Sequence, residues 1–288
     1  MKINDVLMMT SIIIMVVGFC VYLYFLFFSK LFFNKQDKTS AEKASTFGEF
    51  INGVTGPLFA LAGFMIIYST IMDQKEITKT QQFENYFFKF LDYHRTNNER
   101  ITIKGAKSCN PVSGRQVWVN FRGIIKKAYH IIQSDSAYTH LTYHQKIDLS
   151  YAILNYGLGS SDTSRLYKYL DQYQLSIQDK NSLFKKLRAV EHCDQVSVYF
   201  YGFSNVLENY FHEYFTYINY VDACTFIDNN EKIKYVEILN AQNDIYCNAV
   251  IYFYLQSNIS TEAQKKLAKT YQLLEKMDTS LISFTDEP

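Results

Sequence analysis

Breakers of regular structure are scarce in this chain. Its 288 residues include 3 prolines and 11 glycines, too few for the tight turns of an all-β fold and few enough to leave long helices uninterrupted. Net charge is nearly absent too, at a formal +1. Low charge beside many aromatics excludes a disordered chain. The 5 cysteines form no CxxC pair and no small-domain framework, which suits a reducing compartment. What the chain has in quantity is aromatic residues, 24 Tyr and 23 Phe, within a 48% hydrophobic content that is ample for a core. The mean hydropathy of the whole chain is that of a soluble protein, but the average hides a segregated distribution.

No charged residue occurs from Val6 to Ser29. As a helix rising about 1.5 Å per residue this run spans about 36 Å, enough to cross a hydrocarbon core of about 30 Å. A cleavable secretory signal has an apolar region of about 7 to 15 residues, whereas this run is longer and ends in Tyr24-Phe25-Leu26-Phe27-Phe28. A second charge-free run extends from Phe50 to Met72, between Glu49 and Asp73. Pro57 reads as the first-turn proline of that span. Gly56, Ala60 and Gly63 then form a small-residue face of the kind that lets membrane helices approach closely, with Gly18 of the first span as its partner surface. The expectation is a two-helix transmembrane hairpin in residues 1–72, with spans at about 6–29 and 50–72. Lysines near the spans are almost evenly divided between the two sides, so the positive-inside rule barely decides the orientation. Cysteine usage tips it toward a cytoplasmic bulk.

Residues 1–72 hold 5 basic and 4 acidic residues, which leaves 24 of each beyond them. Those charges are segregated. Arg100 to Ser134 carries Arg100, Lys104, Lys107, Arg115, Arg122, Lys126 and Lys127 without an acid, while residues 190–260 are acidic. The two stretches either pack together or form separate solvated faces; alternatively the basic one meets anionic headgroups or nucleic acid. Helical periodicity runs through the rest: a stalk over residues 73–98, then a helix from Val117 to Ile132 after the Gly114-Arg115 turn. Further helices are expected from Phe200 to Val221, from Tyr235 to Tyr252, and after a Ser260 cap. No strand series is evident, and an all-α bundle is expected over residues 99–288.

Catalytic signatures are weak. His140 and His144 have the i, i+4 spacing of a helical metal pair, but Leu141 stands where a zinc hydrolase has its Glu base. His192 and Cys193 are adjacent, so on a helix their side chains diverge. Gly157-Leu158-Gly159-Ser160-Ser161 lacks the Lys-Ser/Thr ending of a phosphate loop and reads as a turn. Neither Arg188 with His192 nor Arg122 with His130 has the Arg-to-His spacing of an all-helical defence nuclease. No cofactor is implied.

The order of parts nevertheless resembles a known family. The segments are Phe83-Glu84-Asn85-Tyr86-Phe87-Phe88-Lys89-Phe90-Leu91-Asp92-Tyr93-His94, then Ser113-Gly114-Arg115, then Leu207-Glu208-Asn209-Tyr210-Phe211-His212, and finally Ile238-Leu239-Asn240-Ala241-Gln242. Behind an N-terminal membrane hairpin, they resemble the phage abortive infection proteins of AbiC-like type. The residues that match are His94, Gly114, Arg115, Tyr210, Phe211 and Gln242. His212 stands where the family has Arg, and Asn240 to Asp244 replace Arg-Ala-Gln-Leu-Ser.

The resemblance implies bacterial antiviral defence. The leading expectation is a non-enzymatic effector in the inner membrane that disrupts the membrane after its soluble domain senses a trigger; lipids and other copies of the hairpin are its partners, and a sensor partner, protein or nucleic acid, docks on the basic stretch. The alternatives are a tethered nuclease using His94, Arg115 or His212, and a tethered scaffold.

Overall fold

The computed structural model describes residues 3–28, 41–104, 111–159, 164–191, 200–275, 277 and 279–284. Lys107, Cys109, His192 and Cys193 lie outside them. The described chain is all-α apart from one short β ribbon. Its elements are α1 (Ile3–Phe28), α2 (Ala41–Arg100), β1 (Thr102–Lys104), β2 (Pro111–Ser113), α3 (Arg115–Gln133), α4 (Tyr143–Tyr156) and α5 (Arg165–Tyr169). They continue with α6 (Ile177–Glu191), α7 (Ser204–Asp222), α8 (Asn229–Asn240), α9 (Ile245–Gln256) and α10 (Glu262–Thr270). Contacts divide the chain into two units, Met1–Asn85 and Tyr86–Pro288, and α2 contributes to both.

In the first unit α1 and the first half of α2 pack antiparallel. Ser69 Oγ donates to the Asn4 carbonyl at 3.3 Å, the Asn4 amide donates to Asp73, and Gly18 lies against Leu58 and Phe59. The sheltered positions include Asn4, Leu7, Ser11, Ile14, Gly18 and Val21 on α1, and Ile51, Thr55, Leu58, Ala62, Met65 and Ser69 on α2. Their alternating three- and four-residue spacing is the seam of a two-helix coil. Ser11 and Thr55 satisfy their hydroxyls on their own helices, at Met8 O (2.7 Å) and Ile51 O (2.8 Å).

Two sequence expectations change here. Pro57 lies inside α2 and not at its start, where it removes only the backbone bond to the Gly53 carbonyl. Gly56, Ala60 and Gly63 do not line the seam. Ala60 is exposed, a Cβ on Gly63 would touch nothing within 4 Å, and one on Gly56 would meet only Asn52 of the same helix. The close approach is provided by Gly18 on α1, which accommodates large side chains from α2, so α2 needs no small face of its own there. Both helices are long and apolar enough to cross a membrane. Their outward faces are apolar as well, with Met9, Ile13 and Val16 on α1 and Phe64, Ile67 and Tyr68 on α2 all exposed.

The second unit is built around α4, in which every residue from Lys146 to Asn155 is buried. A Thr142–Gln145 capping box starts this helix. Helices α3, α7 and α9 surround it, and Trp118, Phe121, Tyr151, Phe211, Tyr214 and Phe253 fill the core. The buried Asp148 carboxylate accepts bonds from the Tyr169 hydroxyl (2.6 Å), the Tyr173 hydroxyl, and the Asn258 amide (2.8 Å) and side chain (3.1 Å).

At its C-terminus α4 ends in a backbone crossing. Gly157 (φ 66°) and Gly202 (φ 81°) approach so closely that a Cβ on Gly157 would stand 2.3 Å from the Gly202 nitrogen. Phe203 N donates to the Leu154 and Asn155 carbonyls at 3.1 and 3.0 Å. The helix expected from Phe200 therefore starts only at Ser204, because Phe200 to Phe203 serve as the cap of α4.

The helix expected from Tyr235 to Tyr252 is two helices. Asp244 leaves the helical path and caps α9 by accepting from Tyr246 N at 2.9 Å. The cap of α10 is Thr261, boxed with Gln264, and not Ser260; Ser260 Oγ instead donates to the Ser257 carbonyl at 2.9 Å. His140 precedes α4, so it shares no helix with His144.

Candidate functional site

The last turns of α2 bring His94 into the second unit, where it is 1% exposed. Its Nε2 donates to Asn243 Oδ1 at 2.8 Å, and the Tyr210 hydroxyl donates to the same oxygen at 2.8 Å. The Tyr210 hydroxyl also lies 2.9 Å from Cys247 Sγ. One turn further along α7, Tyr214 donates to Asn240 Oδ1 at 3.0 Å, and the Asn240 amide donates to the Leu273 carbonyl at 3.3 Å. The His94 ring is enclosed by Tyr210, Tyr214 and Tyr217, with centroids 5.4, 5.6 and 6.1 Å away. On the α7 side its Nδ1 stands 3.9 Å from Glu213 Oε1. That carboxylate is held by Tyr217 OH at 2.9 Å and by the Asn97 amide at 2.9 Å.

Burial lowers the His94 pKa below its ordinary 6.5, against the opposing pulls of the Asn243 hydrogen bond and the Glu213 charge. The ring is therefore neutral near pH 7, with its proton on Nε2. Burial and the neighbouring Cys247 push the Tyr210 hydroxyl well up, and burial does the same to the Cys247 thiol. Groups shifted in these directions hold their protons at neutral pH, so the cluster has no nucleophile ready to act. It is a hydrogen-bonded seam joining the end of α2, the middle of α7 and the α8–α9 junction. On the junction's other side a cavity of about 370 Å³ is lined by Asn240, Asn243, Asn248, Tyr271, Glu237 and Glu275.

Of the residues picked out by sequence, His94 and Tyr210 meet in this seam. Arg115 reaches its edge. Its Nε pairs with Asp244 Oδ2 at 3.0 Å and its guanidinium lies 5.6 Å from the Tyr246 ring centroid, although the side chain is 67% exposed. This pair is one direct link between the basic and acidic stretches. Gly114 (φ 60°) turns the chain from the β ribbon into α3. Phe211 faces the other way and stacks on Tyr254 at 3.9 Å. Gln242, in the turn after α8, donates its amide back to the Ile238 carbonyl at 3.4 Å. Asn243 and Asn240, which hold the seam together, were not picked out as site residues: their partners lie on distant segments, and the helical periodicity of the sequence runs straight through both.

The basic residues separate by role. Arg122 donates to the Leu281 carbonyl at 2.8 Å, Lys126 and Lys127 are half-buried, and Arg100 and Lys104 are exposed. Among the described residues no group of three His, Cys, Asp or Glu side chains could hold a metal ion. No family model, curated protein or solved structure matches this chain.

Proposed function

We propose that this chain is a non-catalytic effector of bacterial antiphage defence, anchored in the inner membrane by α1 and the first half of α2, with residues 99–288 in the cytoplasm. The carrying observation is the run of apolar side chains facing outward from two helices long enough to span a bilayer. A soluble protein rarely leaves so large an apolar surface uncovered. The reading within antiviral defence rests on the resemblance of the His94, Gly114-Arg115 and Tyr210 segments to abortive infection proteins.

In this reading the second unit senses infection and α2 carries the response, since the helix that enters the bilayer also supplies His94. The seam between α1 and α2 leaves Gly56, Ala60 and Gly63 outside it, where they would meet another copy of the hairpin as the hairpins self-associate and disrupt the membrane. Dye uptake and membrane potential in infected cells expressing the full chain test the proposal. Permeabilisation before lysis is expected, with loss of protection in cells expressing residues 73–288 alone. Full protection by that truncated form, or an intact potential until death, would overturn it.

A further inference from the structure

Between α4, α7 and the α9–α10 connection lies a second cavity, of about 220 Å³, lined by Tyr151, Asn155, Glu208, His212, Tyr254 and Gln264. It opens to solvent at the exposed Glu208, and since a single water needs about 10–15 Å³ it has room for a small molecule. Asn155 is 1% exposed and its amide nitrogen has no hydrogen-bond partner. That nitrogen is close enough to the Tyr156 hydroxyl to oppose the upward pull of burial and of Glu208 on that group, but makes no bond of acceptable geometry to it. Leaving a buried donor unmatched is costly, and a bound acceptor would recover that cost.

The other walls define what could bring that acceptor. Glu208 supplies a carboxylate whose charge reaches the hydroxyls of Tyr151 and Tyr254, both already raised by burial. Gln264 is already occupied, its Oε1 accepting from Tyr254 OH at 2.8 Å and from Thr261 N at 2.9 Å. Flat rings complete the enclosure. No Lys or Arg lines the cavity, and the Glu208 carboxylate beside His212 opposes a phosphate there. Drug-sized ligands occupy about 300–1,000 Å³, and this volume suits one or two fused rings.

We propose that this cavity binds the lactam edge of a free nucleobase or nucleoside, its carbonyl accepting from the Asn155 amide and its adjacent N–H donating to Glu208. The assignment is independent of the membrane reading. Uracil and hypoxanthine, added to the full-length chain in detergent micelles, should raise its Tm and bind by calorimetry with Kd below about 1 mM. 1,3-Dimethyluracil, which keeps the carbonyls but has no N–H, should bind at least about tenfold more weakly. Asn155→Leu and Glu208→Gln should each weaken binding by about tenfold or more. Because Asn155→Leu alters the core, Glu208→Gln at the rim carries the test if the first variant fails to fold. No binding of either base at about 1 mM, equal binding of the dimethyl analogue, or binding unchanged in Glu208→Gln would overturn the proposal and leave a water-filled cavity.

Discussion

The two units solve helix packing with opposite distributions of polarity. In the first, hydroxyls, an amide and Gly18 share the sheltered seam with aliphatic side chains such as Leu7, Ile14 and Leu58, and large apolar side chains face outward as well. In the second, aromatic rings fill the interior, and the exposed surface of its helices carries most of the charge. Water drives apolar groups inward in the second arrangement. Nothing comparable drives the first unless its surroundings are themselves apolar, in which case close backbone approach and hydrogen bonds hold the helices together. Helix α2 takes part in both arrangements: its sheltered face presents Thr55, Ala62 and Ser69 early and Phe87 and His94 late.

Two glycines give the largest test of this contrast. A Cβ at Gly157 would stand 2.3 Å from backbone at a positive φ, whereas one at Gly18 would sit 3.6 Å from the Phe59 ring. Gly157→Ala should destabilise the second unit by on the order of 4 kcal/mol, from strain and forced backbone movement, seen as a lowered midpoint in denaturant. Gly18→Ala should change stability by less than about 1 kcal/mol, since the gap accepts a methyl and helix propensity improves.

Two isoleucines follow. Ile13 is 62% exposed and Ile177 is 69% exposed, yet they should respond differently to Lys. Ile13→Lys near the centre of α1 should cost about 3 kcal/mol of insertion, read as chain released from the membrane fraction by alkali. Ile177→Lys should shift stability by less than about 0.5 kcal/mol. Equal responses would remove the distinction between the two surfaces.

The smallest expected effect is a pH slope. His94 has a folded pKa below its unfolded value of 6.5, so the unfolded chain binds the extra proton. Its contribution to stability is complete above about pH 6.5 and is lost as pH falls toward the lowered folded value. His94→Gln should flatten the stability profile of the second unit over that window, whatever it does to absolute stability; an unchanged slope would show that another group titrates.

Amphipathic helices were legible in the sequence, as Val117 to Ile132 of α3 and Leu207 to Val221 of α7 show. Helix α4 was not, because a helix buried on every side has no polar face to set a period. The break between α8 and α9 was hidden for the opposite reason: apolar residues continue in register through it, and only the Asp244 cap marks the stop. The β ribbon, with strands of three residues, is too short to show alternation. Within the candidate site, His94 and Tyr210 were visible through resemblance. Asn243 was not, since its bond to His94 spans 149 positions and no local pattern encodes a pairing at that range.

The Gly157–Gly202 crossing also bears on how the chain is made. The last carbonyls of α4 are closed by Phe203, so the central helix of the second unit is finished by a residue synthesised well after it. During vectorial synthesis α4 emerges with an open end and with the faces it later buries uncovered, and it stays so until the start of α7 has left the ribosome. Whatever shields the nascent chain must cover α4 over that interval, and a pause in translation before codon 203 would prolong the exposure of the domain's central helix.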